Sequence, residues 1–322
     1  MENNRLVDFF SDRTQKLILM PTEKCNFRCT YCYEDYQLGR MTKETIKGIK
    51  NLISRRVGDL EQLYISWFGG EPLVAKDIVL DISKFTHNIT QKYKNLEYRA
   101  GMTTNGYTLT PKLFENLTKL KVLDYQISLD GPEEIHNETR IKANGEGTYK
   151  AIWDNLLSMK EVSEPFSVIL RVHVTPNNVS GLDSLISDLK REFIDDTRFK
   201  IIFKAVGHLG GENDGNFSVL TGEKKYNTLA QLEKKLQGNN TKKDLNYDPY
   251  VCYAAKPNSL IIRSDGSIAK CTVALYEDFN KIGYIRSDGT LNINQKRLTP
   301  WFKGFENFDY HILECPIRGI SK

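Results

Sequence analysis

An α/β fold with a parallel sheet and helices outside it is predicted by three features of the sequence. Apolar, β-rich runs occur at 16–20, 63–68, 96–103, 122–129, 166–174 and 199–206. Segments of helical periodicity separate them, and strict strand–helix alternation argues a parallel sheet. The most distinctive motifs follow the apolar runs directly, where active-site loops lie in folds of this kind.

Taken in order, the run 16–20 leads into a cysteine-rich loop, and a helical segment follows at 45–53. The next strand, 63–68, ends in a Gly-Gly turn and is followed by a helix at 78–93. Strand 96–103 closes on a Thr-Asn-Gly turn. The helix after it, 111–120, has Thr110 placed as N-cap and Pro111 at its first position, both favoured there. Strands 122–129, 166–174 and 199–206 alternate with helices at 149–159 and 182–193, and a further helix at 223–236 follows the last strand. From about residue 246 the pattern changes. Residues 260–263, the turn Ser264-Asp-Gly266 and residues 267–271 read as a β-hairpin with Cys271 at its end. A second Ser-Asp-Gly turn, 287–289, lies between strands 282–285 and 291–293, and 301–305 reads as a short helix.

At 322 residues the chain is long enough for a full core, and α/β barrels of this size fold as one domain. Hydrophobic residues make up 40% and charged residues 27%, which are globular values. Lys+Arg minus Asp+Glu is 45 − 41 = +4, spread along the chain. No basic stripe with interleaved aromatics is present, so nucleic acid is not an expected partner. Neither a signal-like apolar segment nor an apolar run of membrane-spanning length occurs, and the expected location is cytoplasmic, with no membrane partner. Thiols are kept reduced there, so the six cysteines point to metal binding or catalysis rather than disulfides.

Three of them sit in Lys24-Cys-Asn-Phe-Arg-Cys-Thr-Tyr-Cys-Tyr33, a C-x3-C-x2-C spacing. Three thiolates on one loop can hold three irons of a [4Fe-4S] cube and leave the fourth open. They can also bind zinc with a remote His as fourth ligand, and the triplet by itself leaves both open. At the ends of the next strands stand Phe68-Gly-Gly-Glu-Pro-Leu73, Thr103-Thr-Asn-Gly106, and Ile127-Ser-Leu-Asp-Gly-Pro132 with Ile135-His-Asn-Glu-Thr-Arg140. The first two have a plain reading as turns, whereas the last is more specific than any turn composition.

Together these motifs resemble the radical S-adenosylmethionine (SAM) superfamily, in particular the peptide-modifying branch related to anaerobic sulfatase-maturating enzymes. The resemblance implies a partial (β/α)6 barrel over residues 16–237, after a lead of 1–15. It implies a [4Fe-4S] cluster on Cys25, Cys29 and Cys32 whose open iron chelates the amino and carboxylate groups of SAM. One-electron cleavage would then give a 5′-deoxyadenosyl radical. Carried over residue by residue, the backbone at Gly69 and Gly70 would receive the SAM amino group, with Glu71 holding that loop. Asn105 would contact the cofactor or only shape its turn. Ser128 would bond the SAM ribose or carboxylate, and Arg140 would pair with the carboxylate, its planar fork suiting that task. Asp130 would organise the loop, and His136 would be structural or exposed. Val174 and Asn177 are candidates near the adenine or ribose. His208 and Asp214, in the Gly-rich loop 207–215, are candidates near the substrate or ordinary surface residues.

The tail, 238–322, resembles the twitch and SPASM extensions of the same superfamily, which bind auxiliary clusters. Cys252, Cys271 and Cys315 would hold a second [4Fe-4S] cluster. Arg318 stands where relatives have a fourth cysteine, so the last ligand is another side chain or a substrate atom, or the site binds zinc. Thr272 follows Cys271 where sulfatase-maturating enzymes carry a catalytic Asp, which argues against formylglycine formation. The first functional expectation is therefore a radical SAM oxidoreductase that crosslinks or oxidises a peptide or protein, with flavodoxin or ferredoxin as electron donor. A second is dehydrogenation of a small molecule, favoured by the shortness of the 1–15 lead, which offers no peptide-binding domain. A third is a non-catalytic, zinc-stabilised binding module.

Overall fold

The computed structural model describes residues 9–238 and 250–320. Most of the 1–15 lead, and the stretch just after the 237/238 boundary, lie outside the described residues. In chain order the strands are β1 (Thr14–Leu19), β2 (Gln62–Trp67), β3 (Glu97–Thr104), β4 (Val122–Leu129), β5 (Ser167–Val174), β6 (Phe199–Ala205), β7 (Ser259–Ile262), β8 (Ser267–Ala269), β9 (Gly283–Ile285) and β10 (Leu291–Ile293). The longer helices are α1 (Lys43–Arg56), α2 (Lys76–Thr90), α3 (Pro111–Lys119), α4 (Glu133–Thr139), α5 (Tyr149–Met159), α6 (Leu182–Phe193) and α7 (Gly222–Gln237). All six predicted βα strands are present. Helix α2 begins two residues and ends three residues earlier than the periodicity suggested, and 301–305 is the end of a 3-10 segment, Thr299–Phe305. Helix α4 was not anticipated, because its seven residues are too few to display a period.

The described residues form two compact units: 9–24, 37–101 and 250–320 make one, and 25–36 and 102–238 the other. In the first unit β1 pairs in parallel with β2, Leu17 opposite Ile65. On its other edge β1 takes β7, also in parallel, Leu17 opposite Leu260. A strand flanked on both edges and covered on its faces should be continuously apolar, and Leu17, Ile18 and Leu19 are all buried. From β7 the chain turns back through antiparallel pairs β7–β8, β8–β9 and β9–β10, so the predicted hairpin is present and extends the sheet edge. Helix α1 starts at Thr42, whose hydroxyl accepts from Thr45 N, with Glu44 in its first turn and Arg55 and Arg56 in its last.

In the second unit β4, β5 and β6 pair in parallel, with Ser128 opposite Arg171 and His173 opposite Lys204. Helix α3 has the predicted cap, Thr110 Oγ1 accepting from Leu113 N at 3.4 Å. Helix α6 buries Leu182, Leu185, Ile186, Leu189 and Phe193, a single apolar stripe. Toward the N-terminal ends of the strands, Phe114, Phe166, Phe193 and Phe199 make a run of edge and tilted ring contacts at 4.7–5.8 Å. The opposite strand ends are polar, which separates a packed base from a chemical rim. No helix among the described residues is long and apolar enough to cross a membrane.

Candidate functional site

The cysteine loop belongs to the second unit. Its backbone is fixed by Arg28 N to Ile141 O (2.8 Å), Thr30 N to Thr139 O (3.0 Å) and Ala143 N to Asn26 O (2.9 Å). The predicted motif around Arg140 is thus the loop's bonding partner. Asn105 accepts from Tyr107 N to close its own turn and donates to Asn26 Oδ1 at 2.8 Å, so it shapes the turn and also braces the residue beside Cys25. All three thiols act electrostatically on Tyr36, whose hydroxyl bonds Cys32. The backbone N–H two residues on serves the sulfur at Cys25 (Phe27 N, 3.3 Å) and at Cys32 (Glu34 N). Burial pushes the Cys29 thiol up to about 11, against the pull of Arg140. A metal bound at this loop would release protons, and N–H donors already aimed at sulfur would stabilise the resulting thiolates. A cavity of about 520 Å³ opens over the loop, bounded by Arg28, Cys29, Glu34 and Tyr36 on one side and Glu212 and Asn213 on the other.

Beside Cys29 a polar network is buried. Arg140 donates to Tyr31 Oη at 2.9 Å and lies 5.9 Å over the Phe27 ring. Tyr31 donates to Asp130 at 2.7 Å, Thr139 Oγ1 donates to the same carboxylate at 2.6 Å, and His173 Nδ1 stands 3.3 Å from it. Burial works to raise the Asp130 carboxyl, but the His173 hydrogen bond and the Arg140 charge outweigh it and hold the group well below the usual carboxylate range. Burial, with Arg140 and Arg171 nearby, keeps His173 below its ordinary value despite Asp130. His136 is buried; its Nδ1 accepts from Asp130 N, so Nε2–H faces Thr148 Oγ1 at 3.1 Å, and Thr148 donates on to Arg140 O. Burial brings His136 down to about 3, as befits a neutral structural imidazole. Of the two readings for His136, structural holds and exposed does not. Asp130 ties β4 to the cysteine loop.

Ser128 is nearly buried on β4, and Val174 is wholly buried at the end of β5. Asn177 is exposed. Its neighbour Asn178 turns inward, donating to Asp130 O (2.7 Å) and His173 O (2.8 Å) while accepting from Thr175 N. His208 Nδ1 meets Asp214 Oδ1 at 2.8 Å, and the ring stacks on Phe217, which meets Tyr31 edge-on at 6.4 Å. Tyr31, Tyr36, Thr139, Thr148, Arg171, His173 and Asn178 are positions in this unit that the sequence did not single out. The paired Asn residues were visible, but which of them turns inward depends on the turn.

The first unit carries the Gly-Gly-Glu segment. Gly69 has φ +127°, and a Cβ at Gly70 would stand 2.5 Å from Glu23 O and 2.7 Å from Lys24 O. Glycine is required because the strand-end turn lies directly on residues 22–24. Glu71 is buried, accepts from Leu73 N at 2.9 Å, and donates its own N–H to Lys24 O at 3.1 Å. Glu23 is in turn clamped by Arg263 from the end of β7, at 2.7 and 2.9 Å.

In the same unit Cys252, Cys271 and Cys315 lie within electrostatic range of one another. The N–H groups of Ala254, Val273 and Ala274 serve the sulfurs of Cys252 and Cys271, repeating the pattern of the first loop. Thr272 takes its hydrogen bonds from and to Tyr253 Oη, at 2.9 and 2.8 Å. Arg318 is exposed and bonds His311 O. Lys270, next to Cys271, is buried with its ammonium on Lys256 O and Ser259 O. Both cysteine sets have the donor chemistry of an iron–sulfur site: thiols served by backbone N–H groups with cations nearby. Among the described residues no three His, Cys, Asp or Glu side chains converge as ligands of one metal ion. A cube asks for a wider spread, each thiolate holding its own iron.

The Radical SAM superfamily profile matches residues 19–189, more than half of the chain. The cysteine-type anaerobic sulfatase-maturating enzyme of Clostridium novyi (strain NT) is 24% identical over 300 residues, which cover 84% of this chain and 76% of that protein. A GTP 3′,8-cyclase of Campylobacter jejuni subsp. jejuni is 27% identical over 245 residues, covering 74% and 69%. Among solved structures, anSMEcpe with bound AdoMet and the Cp18Cys peptide aligns at a TM-score of 0.65 and 21% identity, over 92% of this chain and 87% of that one. SuiB of Streptococcus suis bound to its precursor peptide SuiA aligns at 0.60 and 16% identity, over 99% and 74%. These two likenesses establish a shared fold. A family pattern that runs from β1 through α6 and includes the cysteine loop decides the affiliation: the chain belongs to the Radical SAM superfamily.

Proposed function

We propose that this chain cleaves SAM reductively and uses the resulting radical to modify a peptide or protein. The observation that carries the reading is the cysteine loop itself. Three thiols are grouped around Tyr36, served by backbone N–H donors, and backed by an arginine held at Tyr31. A [4Fe-4S] cluster and SAM bound there supply a 5′-deoxyadenosyl radical that takes a hydrogen atom from the substrate. The chain's own residues provide position and charge. Cys25, Cys29 and Cys32 hold the cluster. Arg140, presented by Tyr31 and with Asp130 beside it, receives the SAM carboxylate, and its buried Nε has no partner among the described residues. Ser128 lines the ribose side, while Val174, buried on the other face of β5, only supports the strand end. Gly69 and Gly70 offer backbone to the amino group and Glu71 keeps that turn in shape. Residues 238–322 act as a twitch-like extension in which Cys252, Cys271 and Cys315 hold an auxiliary cluster. A small flavoprotein or ferredoxin supplies the electron.

A peptide substrate is supported by the company the fold keeps, since both solved neighbours were captured with peptides. A second reading, a small-molecule substrate, is supported by the kinship with GTP 3′,8-cyclases. The test of the central claim is iron and sulfide content of anaerobically reconstituted protein, with dithionite-driven 5′-deoxyadenosine release, for wild type and a C25A/C29A/C32A variant. About eight irons falling to about four, with deoxyadenosine lost, is the expected result for two cubes. Four falling to none would remove the auxiliary cluster. Absence of both iron and deoxyadenosine in the wild type would sink the enzyme.

A further inference from the structure

The sheet face beneath the cysteine loop carries two cations that no acid among the described residues pairs with. Arg171 on β5 stands opposite Ser128 on β4, and Lys204 on β6 stands opposite His173 on β5. In parallel strands paired residues project to the same face, and so do residues two apart. Arg171, His173, Ser128 and Lys204 therefore share one face, and Tyr31 of the cysteine loop leans on it, its ring 5.3 Å from His173. The Nε of Arg171 is buried and has no hydrogen-bond partner among the described residues. The titratable groups that interact with Arg171 are the phenols of Tyr31 and Tyr33, the His173 imidazole and Lys204, and Lys225 also acts on Lys204. No carboxylate of the described residues pairs with either.

Arg171 is half-buried beside neutral phenols and faces a second cation, the more exposed Lys204, a placement disfavoured in the free protein. Such an arrangement is offset when a ligand brings the opposite charge, and a planar guanidinium next to a point-charge ammonium suits an oxyanion. We propose that Arg171 and Lys204 bind an oxyanion of the substrate, a carboxylate or a phosphate, beside the SAM residues Ser128 and Arg140. This deepens the function proposed above and rests on it for the claim that the ligand is the substrate. Both the acidic side chain of a peptide and the phosphates of a nucleotide present this chemistry.

The test uses anaerobically reconstituted holoenzyme with SAM present. Its probes are a fluorescein-labelled Glu/Ser dodecapeptide, its Gln/Ser twin, a Lys/Ser twin, and tripolyphosphate as competitor. Wild type is expected to bind the Glu peptide, or tripolyphosphate, at least about tenfold tighter than the Gln twin, the scale of one well-placed charged hydrogen bond. Preference for the peptide assigns a carboxylate, and preference for tripolyphosphate assigns a phosphate. R171Q and K204Q should each erode the preference, R171K should retain most of it, and R171E/K204E should turn it toward the Lys twin. Iron content and circular dichroism report whether each variant has folded. An equal affinity of wild type for charged and neutral probes overturns the proposal, as does a preference that survives in R171Q/K204Q. Weakened SAM binding in R171Q with the peptide preference intact would assign Arg171 to the cofactor instead. Wild type that binds the anion but releases no deoxyadenosine would count against the enzyme reading while leaving the anion site standing.

Discussion

Glu23 is fully buried two residues before Cys25, and its carboxylate receives both Nε and Nη2 of Arg263. Removing one member of such a pair leaves a buried charge without compensation, which typically costs about 3–5 kcal/mol. R263A should therefore lower the unfolding free energy measured by urea titration by that amount, and E23L/R263M should recover much of it, since apolar replacement of both partners is often near neutral. His136 makes a separate, pH-dependent prediction. Held down to about 3 in the folded protein, it titrates near 6.5 when unfolded, so between these values the unfolded chain binds the extra proton. Its contribution is complete above about pH 6.5 and is lost as the pH falls toward 3. Urea midpoints measured at pH 7 and pH 5 should differ less in H136Q than in wild type, where both His136 and His173 resist protonation. An equal drop in both proteins would remove His136 from the account. The cysteine triplet and Arg140 were legible in the sequence because their motifs are local. Arg263 was not, because nothing in a strand ending Ile-Ile-Arg tells which distant acid it will meet.

Among the elements, those with local start signals were read most accurately. Thr110 and Pro111 placed the beginning of α3, and the structure supplies the expected cap bond. T110A should cost about 1 kcal/mol, read as a shift in thermal midpoint, and T110S should restore most of it. The Gly-Gly turn after β2 is less forgiving. G70A has to displace the backbone carbonyls of Glu23 and Lys24, which no rotamer can relieve. The expected outcome is weaker SAM binding by calorimetry, together with lower stability, and unchanged SAM affinity would show that the turn does not serve the cofactor. Helix α4 escaped notice for the reason given above, and the tail hairpin was found because Ser264-Asp-Gly266 punctuates it. The hairpin's place in the sheet was not legible, since hydrophobic alternation marks a strand but does not say which edge it joins.

For the chain as a whole, β1 pairs with β7 across more than two hundred residues, so the N-terminal strand and the tail share one unit. The sequence suggested a core of 16–237 followed by an extension. A chain ended at residue 237 loses the outer partner of β1 and the counter-ion of Glu23 together. We expect that fragment to be insoluble, or to lack a cooperative urea transition, and co-expression of 238–322 to rescue it. A soluble, cooperatively folding fragment would show instead that the core stands alone. The composition and motif order placed the fold class correctly because strand–helix alternation is a property of the middle of the chain, whereas closure by the tail depends on contacts no window can see.

The Glu23–Arg263 clamp also has a consequence for synthesis. Synthesis delivers Cys25, Cys29 and Cys32 more than two hundred residues before Arg263, the residue that clamps Glu23 at the end of their entry strand. During that interval the loop can already bond residues 139–143, but Glu23, two residues before its first thiol, still lacks its counter-ion. A cluster carried on these thiols would therefore meet a fully clamped entry strand only once Arg263 has been made.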